Sequence, residues 1–332
     1  MTDTTHAVVG VGAAIVDVLA RVTDATVQRL ELPKGGMTLV DEDRAEAIHE
    51  ALEQEKTLRS GGSVANTIAA LGALGVPTAF IGKRADDMLG ETFALDIRGT
   101  GAAFDAPSAK DGRTATCHVL VTPDAERTMA THLGVSGDLG PDEVDEGTVR
   151  GGGVLYLEGY LWDKPAAKDA FRAAMAAAKD AGRKVALSLS DPFCVDRHRD
   201  SFREIVEGDV DILFANEDEA LALYEVDDVE AAASRLADAV EIAAVTRSEK
   251  GALVLANGAR HEVAAVEVPT LVDTTGAGDL FAAGFLFGLS RGEDAETCGR
   301  MGCEAAAAVI QVLGARCPDA LRARFRIADW ID

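Results

Sequence analysis

Short runs rich in β-branched and apolar residues alternate with longer, alanine-rich amphipathic stretches along most of this chain, and no other property restricts the fold as strongly. Residues 7–11, 78–81, 154–157, 185–189, 212–214 and 242–246 read as buried strands. Residues 64–74, 166–181, 217–223, 229–239, 280–290 and 295–313 read as helices between and beyond them. Strands separated by covering helices build a parallel sheet with helices on both faces, and ligands then collect at the carboxyl ends of the strands. The expected fold class is therefore α/β, a three-layer α/β/α domain around a mostly parallel central sheet. Two segments break the rhythm. Residues 15–41 and 101–133 carry alternating runs containing Thr and Val, such as 114–121, with a turn signal at Pro123-Asp124. They are expected to leave the main sheet and form a small β lid inserted in one domain spanning residues 1–332.

Composition narrows the function classes. The chain has 332 residues and a formal net charge of -24, with no Lys/Arg cluster, which argues against nucleic acid or an anionic membrane surface as partner. A polyphosphate ligand would then depend on local amides, a bound cation and a few placed basic groups. The five cysteines form no C-x-x-C pair, so neither a disulfide framework nor a structural zinc site is expected. Residues 1–6 lack a basic start to a targeting signal, and no apolar run reaches membrane-spanning length. A cytoplasmic location is expected.

The chemistry concentrates at Asp273-Thr274-Thr275-Gly276-Ala277-Gly278-Asp279, which runs directly into an apolar helix. Small residues at Gly276, Ala277 and Gly278 let the backbone approach an anion, and the first amides of a helix point outward with the positive dipole end behind them. Asp279 adds a carboxylate beside those amides, placed to take a proton from an attacking hydroxyl. Read structurally, the same residues are a Gly-rich turn capped by Thr275 or Asp279. Far upstream, Gly61-Gly62-Ser63-Val64-Ala65-Asn66 enters another helix; Ser63 and Asn66 can bond a polyhydroxyl ligand there or simply cap the helix.

Together these two signatures resemble the PfkB family of ribokinase-like carbohydrate and nucleoside kinases, and the resemblance covers nearly the whole chain. It implies Asp279 as catalytic base, Gly276, Ala277 and Gly278 as anion hole, and Gly62, Ser63 and Asn66 as substrate loop. Asp17, an acid ending the apolar run 12–16, matches the aspartate that holds sugar hydroxyls, although an exposed loop acid is the plainer reading. Asn216 and Glu219 match the family's N-x-x-E motif, with Glu219 organising hydrated Mg2+ and Asn216 near the nucleotide phosphates; locally they also suit a helix cap. Thr246 and Gly251 match the ATP-binding T-x-G-x-x-G loop. Ser248 replaces its middle glycine, which makes a strained backbone there less expected. Arg127 in the proposed lid is placed to neutralise a transferring phosphoryl group or to sit as a solvated hairpin charge. Asp273 and Thr275 are candidates for a monovalent cation such as K+, found in some relatives.

Several segments, including 12–17, 157–162, 189–193 and 212–220, resemble the adenosine kinases of that family. Tyr160 falls where they stack an aromatic ring on the purine; the alternative is that Tyr160 and Trp162 pack beside the sheet. The expected reaction is transfer of the ATP γ-phosphoryl group to a primary hydroxyl, the adenosine 5′-hydroxyl first, with ribose, fructose or 2-keto-3-deoxygluconate as alternative acceptors. A non-catalytic nucleoside- or sugar-binding relative is the reading from another class. A dinucleotide oxidoreductase, prompted by Gly10-Val11-Gly12, fails because Ile15 stands at the third glycine, and no Walker A pattern is present. A monomer and a homodimer paired through the lid are both compatible with exposed lid strands.

Overall fold

The computed structural model describes residues 4–53, 55–106, 108–124 and 126–327. Met1, Thr2 and Asp3, read above for a targeting signal, lie outside the described residues. In chain order the strands are β1 (His6–Val11), β2 (Ile15–Arg21), β3 (Met37–Leu39), β4 (Thr57–Gly61), β5 (Thr78–Ile81), β6 (Arg84–Ala85), β7 (Ser108–Ala109), β8 (Ala115–Val121) and β9 (Arg127–His132). The remainder are β10 (Gly152–Glu158), β11 (Lys184–Ser188), β12 (Ile212–Asn216), β13 (Ile242–Thr246), β14 (Ala252–Ala256) and β15 (Ala259–Val263).

The main sheet has the order β15-β14-β13-β12-β11-β10-β1-β5. From β13 to β5 neighbouring strands are parallel, and β14 and β15 fold back antiparallel at the other edge. The β14–β15 connection is Asn257-Gly258 with φ of 52° and 75°, the positive values that a two-residue hairpin turn with the correct twist demands.

Side-chain alternation divides the core between the two faces. Leu213 and Ala215 of β12 and Val245 of β13 join one buried cluster with Phe171, Phe202 and Leu236. Ile212, Phe214 and Ala244 point the other way, against Val64, Phe281 and Phe285. Each fully buried aliphatic or aromatic side chain contributes about 1.5–3 kcal/mol. Gly10 marks the closest helix approach: a Cβ there would stand 2.5 Å from Val64 Cγ1 and 2.6 Å from Ile68 Cγ1. The helix Ser63–Ala73 thus lies almost on the backbone of β1, which brings its N-terminus to the strand ends.

The second sheet, β3-β9-β8-β2-β4, differs from expectation at its borders. The first excursion does not end at residue 41. It includes the helix Glu42–Ala51 and returns through β4, which pairs with β2 along its length. Polar, charged residues such as Thr57 and Arg59 in β4 hid a strand that buries little except Ser60 and Gly61. The second excursion is shorter than 101–133. Ala103 bridges Ala79 of the main sheet, Ser108–Ala109 pairs with β6, and only β8 and β9 enter the smaller sheet. The last helix of the motif region also stops early, at Val309 rather than 313, because Ile310 O accepts the amides of Val272 and Asp273 instead of continuing the helix. Among the described residues no helix is long and apolar enough to cross a membrane.

Candidate active site

The turn expected to bind an anion is built around Asp273, which is fully buried. Its Oδ1 accepts the Thr275 amide at 2.9 Å and the Thr275 hydroxyl at 2.6 Å, while Oδ2 accepts the Gly314 amide at 2.8 Å. These bonds fold the turn and clamp it to the segment after the last long helix. Gly276 then caps the helix Ala277–Ser290 with φ of 78° and no side-chain cap. Ala277 N bonds to Thr274 O, but among the described residues the amides of Gly278 and Asp279 have no acceptor. Two free donors at a helix N-terminus suit an anion, whereas the amide of Ala277, also expected to contribute, is already bonded.

Asp279 sits in the first turn of that helix and is held from outside it. Ser63 Oγ donates to Oδ1 at 2.7 Å, Asn66 Nδ2 donates to Oδ2 at 2.9 Å, and Thr67 Oγ1 donates to the Asp279 carbonyl at 3.0 Å. Burial raises the carboxyl above its ordinary value, and the Ser63 and Asn66 donors and the Arg127 charge oppose the rise. The two signatures, more than two hundred residues apart, are therefore one hydrogen-bonded unit. Gly62 makes the junction possible: with φ of 97°, a Cβ there would lie 2.5 Å from Ala13 O.

Asp17 lies within β2 of the smaller sheet, paired with Cys117 and Arg59, rather than in an exposed loop. It is only 8% exposed. A side chain at Gly61 would collide with its carboxylate, so that glycine reserves its space. A cleft of about 290 Å³ opens beside it, with Asn66, Arg59 and Arg316 among its walls. Arg127, at the start of β9, donates from Nη1 to Thr274 O at 3.2 Å, joining the smaller sheet to the turn.

Two charged residues of the site were not anticipated. Glu158, 1% exposed at the end of β10, accepts Ala13 N on Oε1 and Val64 N on Oε2, both at 2.9 Å, and so ties β1 to the Ser63 helix. An acid closing the apolar run 154–157 was its only signal. Arg316 bonds Asn66, Ser60 and Asp96 from a loop that nothing in its neighbouring sequence distinguishes.

The residues assigned to ATP lie further along the same edge. Asn216 and Thr246 are register partners at the carboxyl ends of β12 and β13. Asn216 and Glu219 form a reciprocal cap: Asn216 Oδ1 accepts Glu219 N at 2.8 Å, and Glu219 accepts Asn216 N at 3.0 Å and Nδ2 at 2.7 Å. The expectation at Ser248 is corrected. Its φ is +50°, so the serine adopts the left-handed backbone that glycine would have supplied. Gly251 has no such substitute, since at φ +87° a Cβ would collide with Val263 O. Of the two aromatics, Trp162 is core: fully buried, stacked on Phe202 and bonded through Nε1 to Ser201 Oγ at 2.9 Å. Tyr160 is partly exposed; burial raises its phenol pKa, with Asp191, Glu219 and Asp279 adding to the rise and Arg127 opposing it.

Three buried acids give the site a pH signature. Asp17 is raised to about 7 by burial, aided by Asp279 and Asp273 against Arg316 and Arg127. Glu158 is raised to about 7 by burial against its two amide bonds, and Glu219 to about 7 by burial against the Asn216 amide. Each binds its proton more tightly folded than unfolded, so this stabilisation is complete below about pH 4 and lost as pH rises through about 7. Over roughly pH 6 to 8 the ligand-free protein should therefore become less stable as pH rises. Calorimetry would read a Tm higher at about pH 6 than at about pH 8, with a smaller difference in Asp17→Asn; a flat profile would contradict the burial of these charges.

The strand order therefore puts an amide-lined turn and a buried carboxylate together at the carboxyl edge of a mostly parallel sheet. A family model described as "pfkB family carbohydrate kinase" matches residues 31–320. The chain is 44% identical to a solved adenosine kinase from Sinorhizobium meliloti, with a TM-score of 0.92 over 98% of this chain and 99% of that one. It is 42% identical to a probable sugar kinase from Rhizobium etli, with a TM-score of 0.94 over 99% and 100%. The adenosine kinase of Saccharomyces cerevisiae is 30% identical over 336 residues, covering 95% of this chain and 97% of the relative. The chain belongs to the pfkB family of carbohydrate kinases. As a sugar or nucleoside kinase of this family it uses ATP, typically with Mg2+.

Proposed function

We propose that this protein transfers the γ-phosphoryl group of ATP to the 5′-hydroxyl of adenosine, giving AMP and ADP. The observation that carries phosphoryl transfer to an alcohol is the junction of Asp279 with Ser63 and Asn66 beside two unpaired helix amides. The choice of adenosine rests on the 44% identity, over nearly the full chain, to an adenosine kinase.

In this reading Asp17 accepts hydrogen bonds from the ribose hydroxyls, and Ser63, Asn66 and the backbone at Gly62 fix the sugar so that its 5′-oxygen faces Asp279. Asp279 receives the hydroxyl proton as the oxygen attacks; a carboxylate is a weak base for an alcohol, so transfer comes late, when the attacking oxygen has become acidic. The amides of Gly278 and Asp279 at the Gly276-Ala277-Gly278 turn hold the negative charge on the transferring group, and Arg127 adds a cation from the smaller sheet, which acts as a lid. Tyr160 presents its ring to the purine. Asn216, Thr246, Ser248 and Gly251 line the nucleotide side. Glu219 would organise the water shell of a Mg2+ bound with ATP, which would offset phosphate charge. Asp273 and Thr275 hold the turn and are the candidates for a K+ beneath it.

The test is ADP formation from Mg-ATP with adenosine, inosine, guanosine, ribose, fructose and 2-keto-3-deoxygluconate, with product masses checked. Adenosine-dependent AMP is the expected result. A phosphorylated sugar without AMP would overturn the acceptor, a reading that the 42% identical probable sugar kinase keeps in view.

A further inference from the structure

Arg316 belongs to none of the motifs above, yet it reaches the proposed base through one intermediate. Its Nη1 donates to Asn66 Oδ1 at 3.2 Å, and its Nη2 donates to Asp96 Oδ2 at 2.7 Å and to the carbonyl and hydroxyl of Ser60. Asp96, on the helix Met88–Gly99, also accepts Ser60 N at 2.7 Å and Ser60 Oγ at 2.8 Å. A carboxylate that takes three donors on one oxygen fixes the guanidinium in place. A guanidinium only donates, so the Asn66 atom facing it must be the carbonyl oxygen. The amide nitrogen then points the opposite way, at Asp279 Oδ2.

We propose that Arg316 is a positioning residue that locks the Asn66 amide in the orientation presenting its NH2, and not its oxygen, to Asp279. This inference rests on the reading of Asp279 as the proton acceptor. Without Arg316 only Asp279 orients the amide, and the rotated form, which sets a carbonyl oxygen against that group, becomes accessible whenever Asp279 is protonated. The base then loses a donor that favours its ionised form, and loses its aim at the acceptor hydroxyl. Arg316 therefore acts on the proposed base through Asn66, from the wall of the cleft beside Asp17.

Other charged groups around Asp279 do not depend on this orientation. Arg127 approaches from β9, Asp17 from β2, and Tyr156, Glu158 and Tyr160 from the end of β10 and the turn after it. Asp17 also feels Arg316, but its contact is with the acceptor and is read in KM. Asp279 is read in kcat at saturating acceptor.

The experiment compares Arg316→Met, Arg316→Lys, Asn66→Ala and the Arg316→Met/Asn66→Ala double variant, with kcat followed across pH for any acceptor the enzyme turns over. Arg316→Met should lower kcat about 10- to 100-fold, the loss of one charge-assisted bond, and shift the acid limb of kcat to higher pH. Arg316→Lys, with a cation but no fork to span Asp96 and Asn66, should fall between. In the Asn66→Ala background Arg316→Met should cost nothing further, because the residue it positions is gone. An unchanged acid limb in Arg316→Met, or losses that add in the double variant, would overturn the proposal; if the Met variant does not fold, Arg316→Lys carries the same comparison. Asp279→Asn run in parallel separates the two failures, since full turnover there would remove the base itself.

Discussion

Asp279→Asn is expected to lower turnover by about 10²- to 10⁴-fold, the usual contribution of a positioned proton acceptor, with acceptor affinity nearly unchanged. The substitution is isosteric, and the network around it adapts. The oxygen of the introduced carboxamide can accept from Asn66 Nδ2, while its NH2 donates to Ser63 Oγ, whose hydroxyl turns around to point elsewhere. The unpaired amides of residues 278 and 279 stay in place, so anion binding is retained. Single-turnover rates alongside equilibrium binding of acceptor and nucleotide separate the two effects. Turnover equal to that of the unmodified enzyme would remove Asp279 from the chemistry.

Gly276→Ala should produce a loss of about 10²- to 10³-fold in kcat, the scale associated with a lost oxyanion donor, by a different route. The added Cβ would collide with Ala315 Cβ and lie 2.9 Å from Ala315 Cα, on a residue with φ of 78°. The left-handed backbone alone costs an alanine about 1–2 kcal/mol, and the collision pushes the turn away from the segment that Asp273 clamps. Both the amide donors and Asp279 move with it. Gly278→Ala is the control. A Cβ at 278 meets nothing within 4 Å, so helix and fold should persist. At the second position of the helix the variant should keep a stability close to that of the unmodified protein. Thermal melts and kcat of the two variants check the pair. Equal kcat losses with equal stabilities would show that the turn does not depend on its left-handed residue.

The parts of the fold that were legible in the sequence are those where local pattern and tertiary role agree. The buried strands at 78–81 and 242–246 and the helix at 229–239 appear with the expected bounds because Pro77 and Gly82, Glu241 and Arg247, and the cap Asp228 mark their ends. β4 was missed because its side chains are mostly solvated, whereas the apolar run of β14 is legible and Asn257-Gly258 marks its turn into β15. At the site, Asp279, Ser63 and Asn66 stand in compact signatures and could be named, but neither signature says that the three side chains bond one another. Glu158, Asp96 and Arg316 are single residues whose importance comes entirely from partners distant in sequence. Ser248 shows the opposite limit: the absence of glycine argued against a left-handed turn, and the surrounding loop imposed one regardless.

The bonds from Ser63 and Asn66 to Asp279 and the reach of Arg316 back to Ser60 join the first seventy residues to the final quarter of the chain, within which Asp273 and Gly314 clamp the turn. Such separations make the candidate site a late product of folding, because loop closure must precede the contacts that span them. A growing chain on the ribosome holds Ser63 and Asn66 without partners until nearly all of the sequence has emerged. Recovery of activity during refolding should accordingly lag behind recovery of secondary structure.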